Sequence, residues 1–164
     1  ISTRINSDLS NNFGNLVQRV CSFINKNCNS IIENNFDNSK EDKDLLDLSI
    51  LKYNNYILHM EKQEIDKALK EVFELLSETN IYIDKNAPWK LKKSNLGRMN
   101  TVLSISIELI KRSTLLLFPI MPDSCKKILD LINYDLNLIN LDEYKKLPSK
   151  SFKIKDSSPI FPRI

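Results

Sequence analysis

Asn15 and Arg19 have side chains that suit recognition of an unpaired nucleic-acid base. They lie four residues apart, and at about 100° per residue they project from the same side of a helix. An amide and a guanidinium placed side by side can hydrogen-bond to the edge of a base. The alternative interpretation is a polar surface pair, or an Arg19 side chain held by an acidic neighbour.

Trp89 is the only tryptophan, and it follows Pro88 in a segment that interrupts the helical pattern. An exposed aromatic ring can stack on a splayed base, which is typically worth ~1–3 kcal/mol. Lys90, Lys92 and Lys93 follow at once and are candidates for contacts with phosphate groups. Two alternatives stay open: a tryptophan that seals the end of a helical bundle, and lysines that form a solvated face.

The sequence offers no set of residues typical of catalysis. His59 is the only histidine, so a Ser-His-Asp or Cys-His arrangement would have to use it, and we predict an ordinary helix residue instead. Three glutamates at helical spacing predict a solvated helix face rather than a metal site: Glu71, Glu74 and Glu78. We therefore predict no catalytic residue, no metal and no cofactor in this chain.

Composition limits the function further. The net charge of +3 permits an RNA partner but does not by itself indicate one. The three cysteines, an odd number without a Cys-x-x-Cys pair, favour a reduced protein inside the cell. No stretch approaches the ~20 apolar residues of a membrane span. We expect a cytoplasmic protein that does not bind membranes.

The elements that would position these residues are helices. Only two glycines and six prolines occur in 164 residues, and long stretches contain neither. Apolar residues at the helical period predict one all-α helical bundle over residues 1–164. The predicted helices are one around residues 9–24, one that Ser39 caps, one from Ile65, one over 97–117 and a short one from Pro122. Residues 25–40 and 80–95 are predicted to be loops or turns, and the tail after Tyr134 is less regular.

Four motifs in order resemble the bacterial type of methionyl-tRNA synthetase. Residues 11–20, NNFGNLVQRV, resemble the family's Asn-Asp-Leu-Gly-Asn-Leu followed by Arg. Residues 80–91, NIYIDKNAPWKL, are similar to Asn-x-Tyr-Ile-Asp and Ala-Pro-Trp-x-Leu. Residues 117–122, LFPIMP, and 159–164, PIFPRI, are similar to Leu-x-Pro-Phe-Met-Pro and Pro-Leu-Phe-Pro-Arg-Ile. The resemblance covers nearly the whole chain.

The resemblance implies the C-terminal anticodon-binding domain of a class I aminoacyl-tRNA synthetase, a helical bundle that binds the CAU anticodon loop of methionine tRNA. It implies that Trp89 stacks on the first anticodon base, a cytosine, and that Asn15 and Arg19 reach the edges of the bases. It also implies that the intact protein attaches methionine to tRNA with ATP and Mg, and that this domain contacts the catalytic domain of the same chain. Neither DNA nor a membrane is expected as a partner.

The chain also departs from the family pattern. Nothing resembles His-Ile-Gly-His or Lys-Met-Ser-Lys-Ser, so we expect a fragment without the catalytic domain and inactive by itself. Asn12, Phe13 and Ile120 replace the usual Asp, Leu and Phe, which are helix and core changes. The alternatives are the helical domain of another class I synthetase, such as the valine or cysteine enzyme, or a protein–protein scaffold. A scaffold predicts a buried Trp89, with Asn15 and Arg19 directed away from it.

Overall fold

Helices dominate the computed structural model, which describes residues 3–34, 37–147 and 149–157. The α-helices are α1 Thr3–Asn27, α2 Lys40–Glu61, α3 Ile65–Asn86, α4 Pro88–Ser94, α5 Leu96–Leu117 and α6 Pro122–Leu131. Two 3-10 turns, Leu136–Leu138 and Leu141–Glu143, and two strands, β1 Ile31–Glu33 and β2 Ser151–Lys153, complete the described part. The predicted all-α helical bundle is confirmed. The closing motif at 159–164 lies outside the described residues.

Helix α5 forms the centre of the bundle. Every residue from Thr101 to Leu117 is buried, and α1, α2, α3, α4 and α6 all pack against this helix. Its sequence is apolar on several sides, which predicts this central position because a helix surrounded by others has no face left for solvent. The other helices each bury one side only. Among the described residues, no helix is both long and apolar enough to cross a membrane.

The helix ends follow from local signals. Ser39 begins α2 with a reciprocal cap: its hydroxyl accepts from the Asp42 N–H at 3.3 Å, and the Asp42 carboxylate accepts from the Ser39 N–H at 2.9 Å. Pro122 occupies the first turn of α6, where its missing N–H costs nothing. Both predicted starts are confirmed.

The predicted turn over residues 80–95 is wrong. Helix α3 continues to Asn86, and only Ala87 separates it from α4. Pro88 marks the first turn of a new helix rather than the middle of a loop, because its fixed φ suits that position. The sharp change of direction falls on Ala87 alone, which has φ 47° and ψ 69° in the left-handed region.

A small sheet replaces part of the predicted loop at 25–40. Strand β1 pairs antiparallel with β2, with Ile32 opposite Phe152. Ile32 is fully buried, whereas its neighbours Ile31 and Glu33 are exposed. Three residues are too few for a readable alternation, and the partner strand lies far along the chain. The sequence pattern therefore did not predict this sheet.

A buried ion cluster of Glu108, Lys111 and Arg112 fixes the tail to α5. Glu108 accepts from Arg112 Nε at 2.6 Å and pairs with Lys111 Nζ at 2.8 Å. The two cations also donate to backbone carbonyls in the segment 143–146, at 2.5–3.2 Å. Tyr144, fully buried, lies beneath the Arg112 guanidinium.

Candidate nucleic-acid interface

Arg19 and Trp89 meet where α1 crosses the corner between α3 and α4. The guanidinium carbon of Arg19 lies 5.3 Å from the centroid of the Trp89 ring, which is within the range of a cation–π contact. The Trp89 side chain is 43% exposed, so it does not seal the bundle. The ring and the guanidinium together form a surface that is open to solvent.

The periodicity of α1 explains why Arg19 is on this surface. Phe13, Leu16, Val17, Val20 and Ile24 are buried and form the inner stripe of the helix. Asn15 and Arg19 lie off this stripe and are exposed. Asn15 is one turn before Arg19 on the same side, but the structure places it in hydrogen-bond contact with neither Arg19 nor Trp89. Of the predicted trio, therefore, two members touch and the third lies next to them along the helix.

Asp84 is a member of the site that the sequence analysis did not assign. Its carboxylate accepts a hydrogen bond from Nη2 of Arg19 and forms an ion pair with it. Both side chains are substantially exposed, at 39% for Arg19 and 64% for Asp84. Because a guanidinium carries five N–H donors, this pair leaves other donors of Arg19 for a ligand. The available signal that Asp84 belongs to this surface was its position in the last turn of α3, just before Pro88.

The three lysines after Trp89 do not behave alike. Lys90 and Lys93 are exposed. Lys92 is exposed too, but its ammonium donates to the side-chain oxygen of Asn27 at 2.6 Å and so ties α4 to the end of α1. Lys92 and Lys93 also occupy the last turn of α4, where positive charge is favourable next to unpaired carbonyls. Lys90 and Lys93 are thus the freer candidates for phosphate contact.

The corner that carries Trp89 is held by backbone hydrogen bonds on both sides. The Ala87 N–H donates to the Ile83 carbonyl at 2.9 Å, and the Ala87 carbonyl accepts from Lys90 and Leu91 at 2.9 and 3.2 Å. A cavity of about 50 Å³ adjoins the Trp89 ring. Its lining is mostly apolar: Val20, Phe23, Ile83, Pro88, Trp89 and Leu103, with Arg19 and Ser106.

Away from this surface, His59 and Glu71 have structural partners. His59 Nδ1 lies 3.3 Å from Glu64, and the side chain is partly buried on its helix. The predicted solvated face is wrong for Glu71, whose side chain is only 14% exposed and pairs with Lys52 at 2.9 Å. Burial raises the pKa of the Cys21 thiol to about 12. In the described part of the chain, no group of three or more His, Cys, Asp or Glu residues could hold a metal ion.

Comparisons with known proteins agree with this architecture. Residues 34–149 match the family model described as the anticodon binding domain of methionyl tRNA ligase. The methionine–tRNA ligase of Rhizobium meliloti is 37% identical over 166 residues, which cover 99% of this chain and 32% of that protein. The corresponding protein of Rickettsia bellii is 39% identical over 163 residues, covering 96% and 31%. The chain thus spans about a third of the length of these relatives.

Solved structures give the same result. The apo methionyl-tRNA synthetase of Mycobacterium tuberculosis superposes with a TM-score of 0.89 at 30% identity, covering 99% of this chain and 34% of that one. The form of that enzyme bound by methionyl-adenylate gives 0.86, also at 30% identity, and covers 93% and 31%. Helical bundle and motifs together define an anticodon-binding domain of the aminoacyl-tRNA synthetase class. Within that class, the chain belongs to the family of anticodon-binding domains of methionyl-tRNA ligases.

Proposed function

We propose that the surface formed by Trp89, Arg19 and Asn15 binds the CAU anticodon loop of methionine tRNA. The observation that carries the proposal is the half-exposed Trp89 ring with the Arg19 guanidinium 5.3 Å from its centroid. A platform for stacking and a donor for base edges are thereby side by side. Lys90 and Lys93 follow Trp89 on α4 and are exposed, so they are candidates for contacts with phosphate groups, and Lys92 would join them if it left Asn27.

Stacking on the ring and hydrogen bonding to the base edge contribute differently to binding. Stacking on Trp89 gives affinity for any base, since every base has a flat face. Selection of cytosine as the first base falls to Asn15 and Arg19, because an amide and a guanidinium can match its oxygen and nitrogen acceptors. A wrong base would leave donors or acceptors unpaired in the closed contact, and this mismatch is costly.

The chain's place in a larger protein is part of the same proposal. Its relatives are about three times as long, and one solved relative binds methionyl-adenylate. We infer that residues 1–164 form one recognition domain, that a catalytic domain of the same chain attaches methionine to the tRNA with ATP, and that the whole protein works in the cytoplasm. The residues described above take no part in that chemistry and contribute only binding.

The competing scaffold hypothesis makes a structural prediction that differs from the geometry. It requires a buried Trp89 and an Arg19 directed away from it, whereas the ring is 43% exposed and the guanidinium lies against it. The domain of another class I synthetase is disfavoured, because the matching family is specific to the methionine enzymes. Anticodon recognition is therefore the function that the site supports best.

The experiment is a comparison of two anticodon stem-loops, one with CAU and one with a changed first base, at one stated low salt concentration. We expect the chain to prefer the CAU loop. Trp89→Ala should weaken binding to the CAU loop by about 5- to 150-fold, which is the range of one lost base–aromatic stack. Fluorescence anisotropy of labelled loops measures both constants.

Leu51→Ala is the matched control. Leu51 is a large apolar side chain, 53% exposed, on α2. Its truncation removes a similar kind of surface away from Trp89 and should leave both binding constants unchanged. Equal binding of the two loops, unaffected by Trp89→Ala, would mean that the domain attracts RNA only through charge, and the proposed recognition would be wrong.

A further inference from the structure

One buried carboxylate joins three helices, α2, α3 and α5. Asp42, at the start of α2, is fully buried. It accepts two hydrogen bonds from the Arg98 guanidinium on α5, at 2.6 and 2.9 Å, and one from the Tyr82 hydroxyl on α3, at 2.6 Å. The Ser39 N–H supplies a fourth at 2.9 Å. We call Asp42, Tyr82 and Arg98 the carboxylate clamp.

Arg98 also forms hydrogen bonds with the residues that flank both ends of α4. The helix lies between Asn86, the last residue of α3, and Asn95, the cap of α5. Arg98 donates from its side chain to Asn86 Oδ1 at 2.9 Å, and its backbone N–H donates to Asn95 Oδ1 at 3.0 Å. Asn86 in turn donates to Glu41 at 3.1 Å. Both ends of α4 are thus tied to the same arginine.

The corner needs support beyond the local backbone hydrogen bonds of Ala87, because the direction of α4 relative to α3 depends on the unusual backbone angles of that one residue. Ala87 has a positive φ without being glycine, a conformation that costs free energy and persists only when the surroundings impose it. Helix α4 has seven residues and no side-chain hydrogen bond at its N-terminal cap. A helix this short is not stable by itself. The orientation of α4, and with it the position of Trp89, must come from packing on α5 and from the hydrogen bonds of Arg98 at the two ends of α4.

We infer that Asp42, Tyr82 and Arg98 are positioning residues that set the angle of the Trp89 ring through the α3–α4 corner. None of the three needs to touch RNA to affect recognition. The inference rests on the proposed function only for its consequence in binding. The position of the ring itself can be measured without RNA, because Trp89 is the only tryptophan and its fluorescence reports on no other residue.

Two tyrosine variants provide a matched pair for this measurement. Tyr82→Phe removes one buried hydroxyl bond, to Asp42, and Tyr56→Phe removes another, to the Leu116 carbonyl at 2.7 Å. Both should lower the melting temperature, since each loses one buried hydrogen bond. Only Tyr82→Phe should raise the acrylamide quenching constant of Trp89, by up to about twofold because the ring is already 43% exposed.

Arg98→Lys is the stronger variant, because lysine keeps the charge but cannot form the two-pronged contact with a carboxylate. We expect a larger rise in quenching than with Tyr82→Phe, and binding of the CAU loop that is about tenfold weaker than in the wild-type chain, because a displaced ring stacks less well on the base. Circular dichroism at the assay temperature checks that each variant remains folded. If Arg98→Lys does not fold, the tyrosine pair decides the matter by itself.

The results separate the two proposals. Quenching that rises in Tyr82→Phe but not in Tyr56→Phe supports the clamp, even if the wild-type chain shows no preference for either loop, in which case the proposed function alone fails. Quenching that stays at the wild-type value in Tyr82→Phe, or rises equally in Tyr56→Phe, overturns the inference. The three residues would then stabilise the bundle as a whole and would not position the ring.

Discussion

Replacing Arg19 by alanine tests the proposed recognition separately from the stability of the fold. Arg19 forms an ion pair with Asp84 and a cation–π contact with the Trp89 ring, and all three side chains are substantially exposed. An exposed ion pair contributes about 0–1 kcal/mol and an exposed cation–π contact about 0.5–1 kcal/mol. Arg19→Ala should therefore lower the free energy of unfolding by at most about 2 kcal/mol. We expect the loss of base discrimination to be larger than this loss of stability.

A guanidinium that reads a base edge contributes about 1–3 kcal/mol of discrimination, which corresponds to about 5- to 150-fold in relative affinity. Anisotropy with the CAU loop and the loop with a changed first base measures this ratio, and urea unfolding followed by circular dichroism measures stability. The variant also leaves the Asp84 carboxylate unneutralised near RNA. The double variant Arg19→Ala, Asp84→Asn removes that repulsion and should restore part of the overall affinity but none of the preference.

The reasoning is refuted if Arg19→Ala keeps the full preference for the CAU loop and only its overall affinity falls. Arg19 would then act as a general positive charge. Arg19→Lys serves as the control for charge, because it retains the cation without the planar set of donors. If Arg19 reads the base, Arg19→Lys should lower the preference for the CAU loop nearly as much as Arg19→Ala does. Its overall affinity for RNA should fall less, because the positive charge remains.

Two further predictions concern buried charges. Glu108→Gln leaves Lys111 and Arg112 buried without the Glu108 charge, and it should lower the free energy of unfolding, measured in urea, by about 3–5 kcal/mol. The control is Glu78→Gln, which changes an exposed residue and should leave that free energy almost unchanged. Equal unfolding midpoints for the two variants would contradict this prediction. Burial alone would raise the pKa of Asp42, but the hydrogen bonds from its partners outweigh burial and hold that pKa below its usual value. The ionised form of Asp42 therefore stabilises the fold above about pH 4. The difference in unfolding free energy between wild type and Asp42→Asn should shrink as pH falls below that value, and a constant difference would show that ionised Asp42 adds nothing.

Local patterns were sufficient to predict most of the helices. The stripe on α1, the Ser39 cap and the apolar surroundings of α5 each depend on residues a few positions apart, where periodicity and capping are informative. The outward direction of Asn15 and Arg19 followed from the same stripe. By contrast, the sequence predicts a loop at Ala87–Pro88, because a proline that begins a helix and one that ends a helix look alike in sequence.

The parts that the sequence did not predict depend on contacts between distant residues. Arg19 and Asp84 are 65 positions apart, and so are Asn27 and Lys92. No local rule pairs a given arginine with a given aspartate across such a distance. Exposure of Trp89 was equally open, because a single tryptophan after a proline fits a bundle seal as well as a platform. The family resemblance favoured the platform, and the structure shows the exposed ring.

The placement of α1 also has a consequence for the order of folding. Helices α2 and α3, and likewise α4 and α5, are consecutive in the chain and can pair by closing short loops. Arg19 reaches Trp89 only after α1 has docked on α3 and α5 across a long intervening segment, and contacts of that kind form slowly. We therefore expect the surface to be among the last parts to be completed. A partly folded chain holds Trp89 without its arginine, so the selective binding that we propose would require the fully folded domain.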